Sequence, residues 1–362
     1  MVLIVIRLNY NLRDRHPDFN IDLVIDPLAE PGRLSVGFAK IPITPQVTDT
    51  WNDFNNNAKY EPEQGETYND VNGNNKFDPV WIAGFHNRRP AQGVHDDLWA
   101  RVMVLDDGAT RVAITSIDAV GFIYDDAVDI RKSAHDKYNC DYTIISSTHV
   151  HQAPDLIGIW GESFFKSGVN TEYMRYVKRQ TIAAIETAVK NLVPVKLRIG
   201  QDLEGAIPYV VDSRDPQEMD PGIRIIQAIE ISSGKTLGSL VSWSNHPETL
   251  WSKNLLISSD FPHYFRESVE NGVHKGDRLL AQGLGGITVF VNGAVGGLMT
   301  TNPSHPIPDP FDGEMHKGAT FEKAQAQGQQ LGLLALKAIR SADVIEIEQV
   351  GIKIRAKTIS IP

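Results

Sequence analysis

Four short apolar runs that each stop abruptly on polar residues constrain this chain more than any other feature. Ala-Ile-Thr-Ser-Ile runs into Asp118, Ile-Ile-Ser-Ser-Thr into His149-Val-His151, Val-Ser-Trp-Ser-Asn into His246-Pro-Glu248, and Ile-Thr-Val-Phe-Val into the glycine-rich turn after Asn292. Runs this short and this rich in β-branched residues read as buried strands. Further strands are expected at Ser35–Pro42, 98–105, Arg111–Ile117, Tyr142–Ser147, 195–199, 223–231 and 237–243, with a last one from 344 to about 354. A strand is also expected at residues 1–6. Stretches 125–138, 171–192 and 319–341 carry apolar residues at helical spacing, with Thr171 as the expected cap of the second. The combination predicts an α/β chain: a mixed β-sheet core with flanking helices. Ligands of such sheets bind beyond strand ends, so the four polar tips are expected to converge there on a metal site.

The chain has 362 residues, enough for a sizeable core. No internal repeat, low-complexity tract or linker is evident. The expected organisation is an N-terminal extension with a strand over 1–34, then a single domain over 35–362 with a long Asn/Asp-rich loop at about 46–80. A formal charge of -10 argues against a nucleic-acid or anionic-membrane partner, either of which would need a basic surface. No stretch approaches the roughly 20 apolar residues of a membrane helix, so no transmembrane segment is expected. The one cysteine, Cys140, excludes an internal disulfide and reads as an inert buried thiol. Compartment follows from processing: secreted or periplasmic if a signal peptide has been removed, cytoplasmic otherwise.

His149 and His151 are two apart on extended backbone, so both can face one ion or one substrate. That spacing is weak evidence in a chain with 11 histidines, but His246 at a second strand end strengthens it.

Taken together, several blocks resemble the neutral ceramidases and their shorter bacterial relatives. They are Gly37-Phe-Ala-Lys-Ile-Pro-Ile-Thr44-Pro45, Gly93-Val-His-Asp-Asp97-Leu-Trp-Ala-Arg101, Ser116-Ile-Asp118, Thr148-His149-Val-His151-Gln-Ala-Pro154, Asn245-His246-Pro-Glu-Thr249, Leu256-Ile-Ser-Ser259-Asp260 and Gly293-Ala-Val-Gly-Gly297. They run in the family's order from about residue 35 to 340. The resemblance implies a zinc-dependent amide hydrolase, with His149 and His246 on the metal and His151 on the substrate side as oxyanion stabiliser. The family completes its zinc shell with a glutamate and a tyrosine beyond the region this chain covers. Either the site is finished differently, with Asp260 the first local candidate and Glu248, His263 and Asp118 as alternatives, or part of the protein is absent. The family's serine nucleophile is matched here by Met299, followed by Thr300 and Thr301, so activated water is the expected nucleophile and Thr300 the second choice.

The sequence reading is thus a zinc hydrolase cleaving an amide or ester in a small-molecule substrate with an acyl group. His151, Asp260, Glu248 and Thr300 are the catalytic candidates, and His149, His246 and Asp260 the zinc ligands. The alternatives are a metal-dependent esterase or lactonase on the same residues, or a non-catalytic calcium-stabilised binding module. Calcium enters through Asp70-Val-Asn72-Gly-Asn74-Asn-Lys76-Phe-Asp78, whose alternating oxygen donors resemble the first nine positions of a calcium loop. It lacks glycine at the sixth position and glutamate at the twelfth. His86, His95, Arg88 and Arg89 read as ordinary polar or solvated residues. Trp81, Phe85, Trp99, Trp160 and Phe164 read as core or as an acyl-binding wall.

Overall fold

The computed structural model describes residues 14–295 and 299–359. Its main sheet is built from β1 (Ser35–Pro42), β2 (Trp99–Asp106), β3 (Arg111–Ile117), β4 (Tyr142–Ser147), β5 (Val193–Asp202), β6 (Ile223–Glu230), β7 (Thr236–Trp243), β8 (Ile287–Asn292) and β9 (Ile345–Ile347). Among the described residues four helices accompany it: α1 (Tyr124–Tyr138), α2 (Thr171–Lys190), α3 (Phe261–Asn271) and α4 (Phe321–Ile339). Strand order is β8-β7-β6-β5-β1-β2-β3-β4, with β9 paired to β5 outside that path. Within this sheet only β8 on β7 and β4 on β3 run parallel; the other pairs are antiparallel.

The two halves of the sheet meet at a narrow seam, where β5 pairs with β1 only through Val193 with Val36 and Pro194 with Ser35. That seam lets the sheet fold on itself. Leu34, Val36, Phe38 and Met103 from one half then bury against Val195, Leu197, Ala228 and Val289 from the other. β8 lies across β2, β3 and β4 as a result, and the Ser116 hydroxyl donates to the Phe290 carbonyl between the two halves. Outside this apolar interior, α2 covers β1 and β2, while α4 covers β5 and β6. The layers are helix, sheet, sheet, helix. Gly37 permits the α2 contact, because a Cβ there would sit 1.9 Å from the Ala188 carbonyl oxygen.

Most elements match the expected positions within a few residues, and the departures have identifiable causes. The α2 cap is Asn170, not Thr171: its side chain accepts the Tyr173 amide at 3.0 Å. The expected final strand divides into Ile345–Ile347, Gln349–Val350 and Ile354–Lys357, which pair with three different partners. α3 has no counterpart among the expected elements. The expected strand at 1–6 lies outside the described residues. The reading of no internal repeat is also corrected: residues 49–62 and 66–79 align with 7 of 14 positions identical, and the segments Thr50–Trp51 and Tyr68–Asn69 pair antiparallel. Among the described residues, no helix is long and apolar enough to cross a membrane.

Candidate metal centre

Three of the four polar tips meet through Asn292, at the end of β8. Its side-chain amide donates to the Thr148 carbonyl at 3.0 Å and to the Asn245 carbonyl at 2.7 Å, joining the histidine-bearing ends of β4 and β7. The residues past β3 hold His149 from the other side: its amide donates to Ala119 O at 2.9 Å, and its Nδ1 lies 2.6 Å from Val120 O. His149 adopts a left-handed backbone with φ of 67°, an uncommon state for a residue with a side chain. The turn carries the ring inward. His246 is gripped in the same manner, with its amide 3.0 Å and its Nδ1 2.8 Å from Met299 O.

Each backbone carbonyl fixes a proton on Nδ1 and leaves Nε2 as a bare lone pair, the arrangement that metal-binding imidazoles need. His151 Nδ1 lies 3.1 Å from Glu248 Oε2 but outside hydrogen-bond geometry, and its Nε2 has no hydrogen-bond partner either. One ligand atom from each of His149, His151 and His246 lies within 4.8 Å of the other two, so the three can hold one metal ion. Burial, the largest influence on each, holds all three imidazoles below their ordinary pKa, which favours the neutral, ligating form.

The floor under His151 is built by the segment after Trp81. Arg89 is 1% exposed, and its guanidinium donates to the carbonyls of Ala83, His151 and Ser252. The reading of Arg89 as a solvated charge is therefore overturned, whereas Arg88 is partly exposed, paired with Glu63 and donating to the Glu162 carbonyl. Gly84, at φ of 112°, passes so close that a Cβ would lie 2.5 Å from the His151 ring. Phe85 packs its ring edge-on to His151 at 5.2 Å and also touches Trp251.

Other sequence candidates stand in different places. Glu248 is held below its ordinary pKa despite burial, by His151 and by the Thr300 hydroxyl, which donates to Oε1 at 2.5 Å. Asp260 is not in the histidine group. It caps α3, its Oδ1 accepting the Phe261 amide at 2.6 Å and its Oδ2 the Leu250 amide at 3.0 Å, and burial lifts its pKa to about 6. Asp118 makes a fully buried two-pronged ion pair with Arg266, both contacts at 2.9 Å, so the fourth tip serves structure. His263 faces Asp96 at 3.6 Å. His95 stacks on Phe321, and His86 contacts Asn87 O. Phe164 is 84% exposed, so it belongs neither to the core nor to a closed wall. Cys140 is buried, and its thiol is pushed up to about 11. Part of the block at Gly293 to Gly297 lies outside the described residues. Arg89 and Asn292 are the site residues that sequence reading missed; both act on backbone carbonyls, which leave no pattern in side-chain spacing.

This arrangement defines a class by fold: a folded-over mixed sheet of the ceramidase type. The structure is similar to the neutral ceramidase from Pseudomonas aeruginosa, with a TM-score of 0.62, 18% sequence identity, and coverage of 90% of this chain and 46% of that one. A second solved structure, a ceramidase complexed with C2, gives a TM-score of 0.62 and 18% identity over 88% of this chain and 45% of that one. The chain thus spans under half the length of either. No family model and no curated protein sequence matches it.

Proposed function

We propose that this chain is a zinc-dependent hydrolase of amide or ester bonds in a small substrate carrying an acyl group. The observation that supports this most is the convergence of one buried and two half-buried imidazoles, with Nδ1 of His149 and His246 committed to Val120 O and Met299 O and that of His151 facing Glu248. Three neutral nitrogens around one point suit zinc and leave a fourth position for water or substrate. This reading makes His151 a third ligand, where the sequence resemblance put it on the substrate side. Bound there, zinc would supply Lewis acidity toward a carbonyl and bring a water's pKa near neutrality.

The chain's own residues do the remaining work. Val120 O and Met299 O hold two rings in one tautomer. Glu248, charged at neutral pH, steadies the third and keeps its Nδ1 proton in place. With both oxygens engaged it is a positioning group rather than a free base. Asp260 is likewise committed to the start of α3. Thr300 remains the competing nucleophile, because its hydroxyl already donates to Glu248.

The test is metal content followed by hydrolysis of N-acyl amides and p-nitrophenyl esters, with and without chelator. One equivalent of zinc, chelator-sensitive turnover, and loss of both in a folded His149→Ala His246→Ala variant support the proposal. Stoichiometric zinc without turnover on either substrate class would leave a metal-binding protein and sink the hydrolase. Activity retained in Thr300→Val assigns attack to water.

A further inference from the structure

The duplicated segment 49–79 has no part in the chemistry above, and its two halves share more than sequence. In the first, Asp53 Oδ1 accepts the Asn57 amide and Oδ2 the Ala58 amide; in the second, Asp70 Oδ1 accepts the Asn74 amide and Oδ2 the Asn75 amide. Asn55 and Asn72 accept the same Asn57 and Asn74 amides, and Asn57 and Asn74 accept those of Lys59 and Lys76. Asn57 and Asn74 donate in turn to Glu61 and Asp78. Ala58 and Asn75, at the position where a calcium loop prefers glycine, are both left-handed, with φ of 61° and 59°.

The carboxylates that open the two repeats are exchanged. Glu66, which begins the second repeat, accepts the Glu61 amide of the first loop at 2.7 Å; Asp49, which begins the first, accepts the Asp78 amide of the second at 2.7 Å. Glu66 is only 4% exposed, and its remaining oxygen, Oε1, has no hydrogen-bond partner. A buried, unpartnered oxygen on a carboxylate whose other oxygen is bonded to loop one, with Asp53 and Glu61 nearby, needs a cation. Burial first, then Asp53 and Glu61, push its pKa up.

We propose that residues 49–79 bind two divalent cations of the calcium class. One is held by Asp53, Asn55, Asn57, the Lys59 carbonyl and Glu61 with Glu66. The other is held by Asp70, Asn72, Asn74, the Lys76 carbonyl and Asp78 with Asp49. Three carboxylates and neutral oxygens per loop suit a hard cation. The Lys59 ammonium, 3.5 Å from Glu61, swings into solvent on loading. The module then braces the metal centre's floor. Tyr60 N donates to Arg88 O at 2.7 Å, Trp51 Nε1 to Pro90 O at 3.0 Å, and Phe77 packs on Trp81, flanking the segment that carries Arg89.

This inference stands apart from the zinc reading and is tested with the histidine centre saturated by zinc. Calcium bound to the full chain is counted by equilibrium dialysis, and terbium luminescence excited through tryptophan reports on loop one beside Trp51. Two equivalents of calcium are expected. Glu66→Gln should weaken one of them at least tenfold, Asp70→Asn should weaken the other, and both variants should keep the native circular dichroism spectrum. Fewer than two equivalents on the unmodified chain at millimolar calcium overturns the proposal without reference to any variant. Unchanged binding in a folded Glu66→Gln chain overturns the exchanged carboxylate, and unchanged binding in a folded Asp53→Asn chain overturns the loop-one site.

Discussion

The Glu248 carboxylate lies 3.1 Å from His151 Nδ1 while its other oxygen takes the Thr300 hydroxyl at 2.5 Å, so one acid links strand-end imidazole and strand-end hydroxyl. Partners of this kind orient a ligating ring and raise its basicity, and their loss commonly costs about 10- to 100-fold in metal affinity. Glu248→Gln keeps the shape and removes the charge. Zinc affinity measured by competition with a chromogenic chelator should fall by that factor, with fold stability nearly unchanged. Equal affinity in the two proteins would mean that His151 is not a ligand.

The buried pair of Asp118 and Arg266 gives a prediction about stability alone. Both side chains are fully enclosed, and Asp118 also accepts from Ser259 and the Trp99 amide. Removing one member leaves an uncompensated charge, which costs about 3–5 kcal/mol. Asp118→Ala should lower the unfolding free energy in urea by that amount. Asp118→Ala with Arg266→Met should recover much of it. A double variant no better than the single would show that the ion pair is not what the site needs.

Legibility of this chain from sequence tracks where the information resides. β1, β3 and β4 are readable to the residue because each is a short apolar run closed by a turn residue. The three histidines are readable because strand ends fix where side chains go. α3 is harder, although Asp260 followed by Phe-Pro262 is a helix start, with a capping acid and a proline in the first turn. The same Asp260 reads equally well as a ligand, because a cap and a ligand look alike in one dimension. The duplication in 49–79 is hidden by substitutions such as Trp51 for Tyr68 and Glu61 for Asp78, which preserve chemistry and lower identity. Arg89 resembles a solvated charge in the sequence because its partners are carbonyl oxygens contributed by Ala83, His151 and Ser252.

Asp260 makes the stability of the fold depend on pH in a direction opposite to the usual acid. Its pKa in the folded chain, about 6, stands above the ordinary 3.8 because burial outweighs the amides it accepts. Its contribution is therefore fully present below about pH 4 and is lost as pH rises through 6. The gap between those two values is equivalent to about 3 kcal/mol. Asp260→Asn has no such proton to lose. The urea stability of the variant minus that of the unmodified protein should therefore climb by about 2 kcal/mol from pH 4 to pH 7. Parallel profiles would place the Asp260 pKa in the normal range.

Arg89 joins the candidate metal centre to the segment beneath it, and it does so with no carboxylate among its hydrogen-bond partners within the described residues. A buried guanidinium spanning three carbonyls is both costly and hard to replace, since lysine lacks the planar fork. In Arg89→Met the charge is gone, but the carbonyls of Ala83 and His151 lose their donor in a dry site, at about 1–3 kcal/mol each. Unfolding in urea should show a loss of about 2–4 kcal/mol, and zinc affinity should drop together with it because His151 has lost its floor. Arg89→Lys should fall between the two. If Arg89→Met lost stability while zinc affinity stayed at the unmodified value, the guanidinium would be supporting the loop alone, and the position of His151 would rest on Glu248 and Gly84.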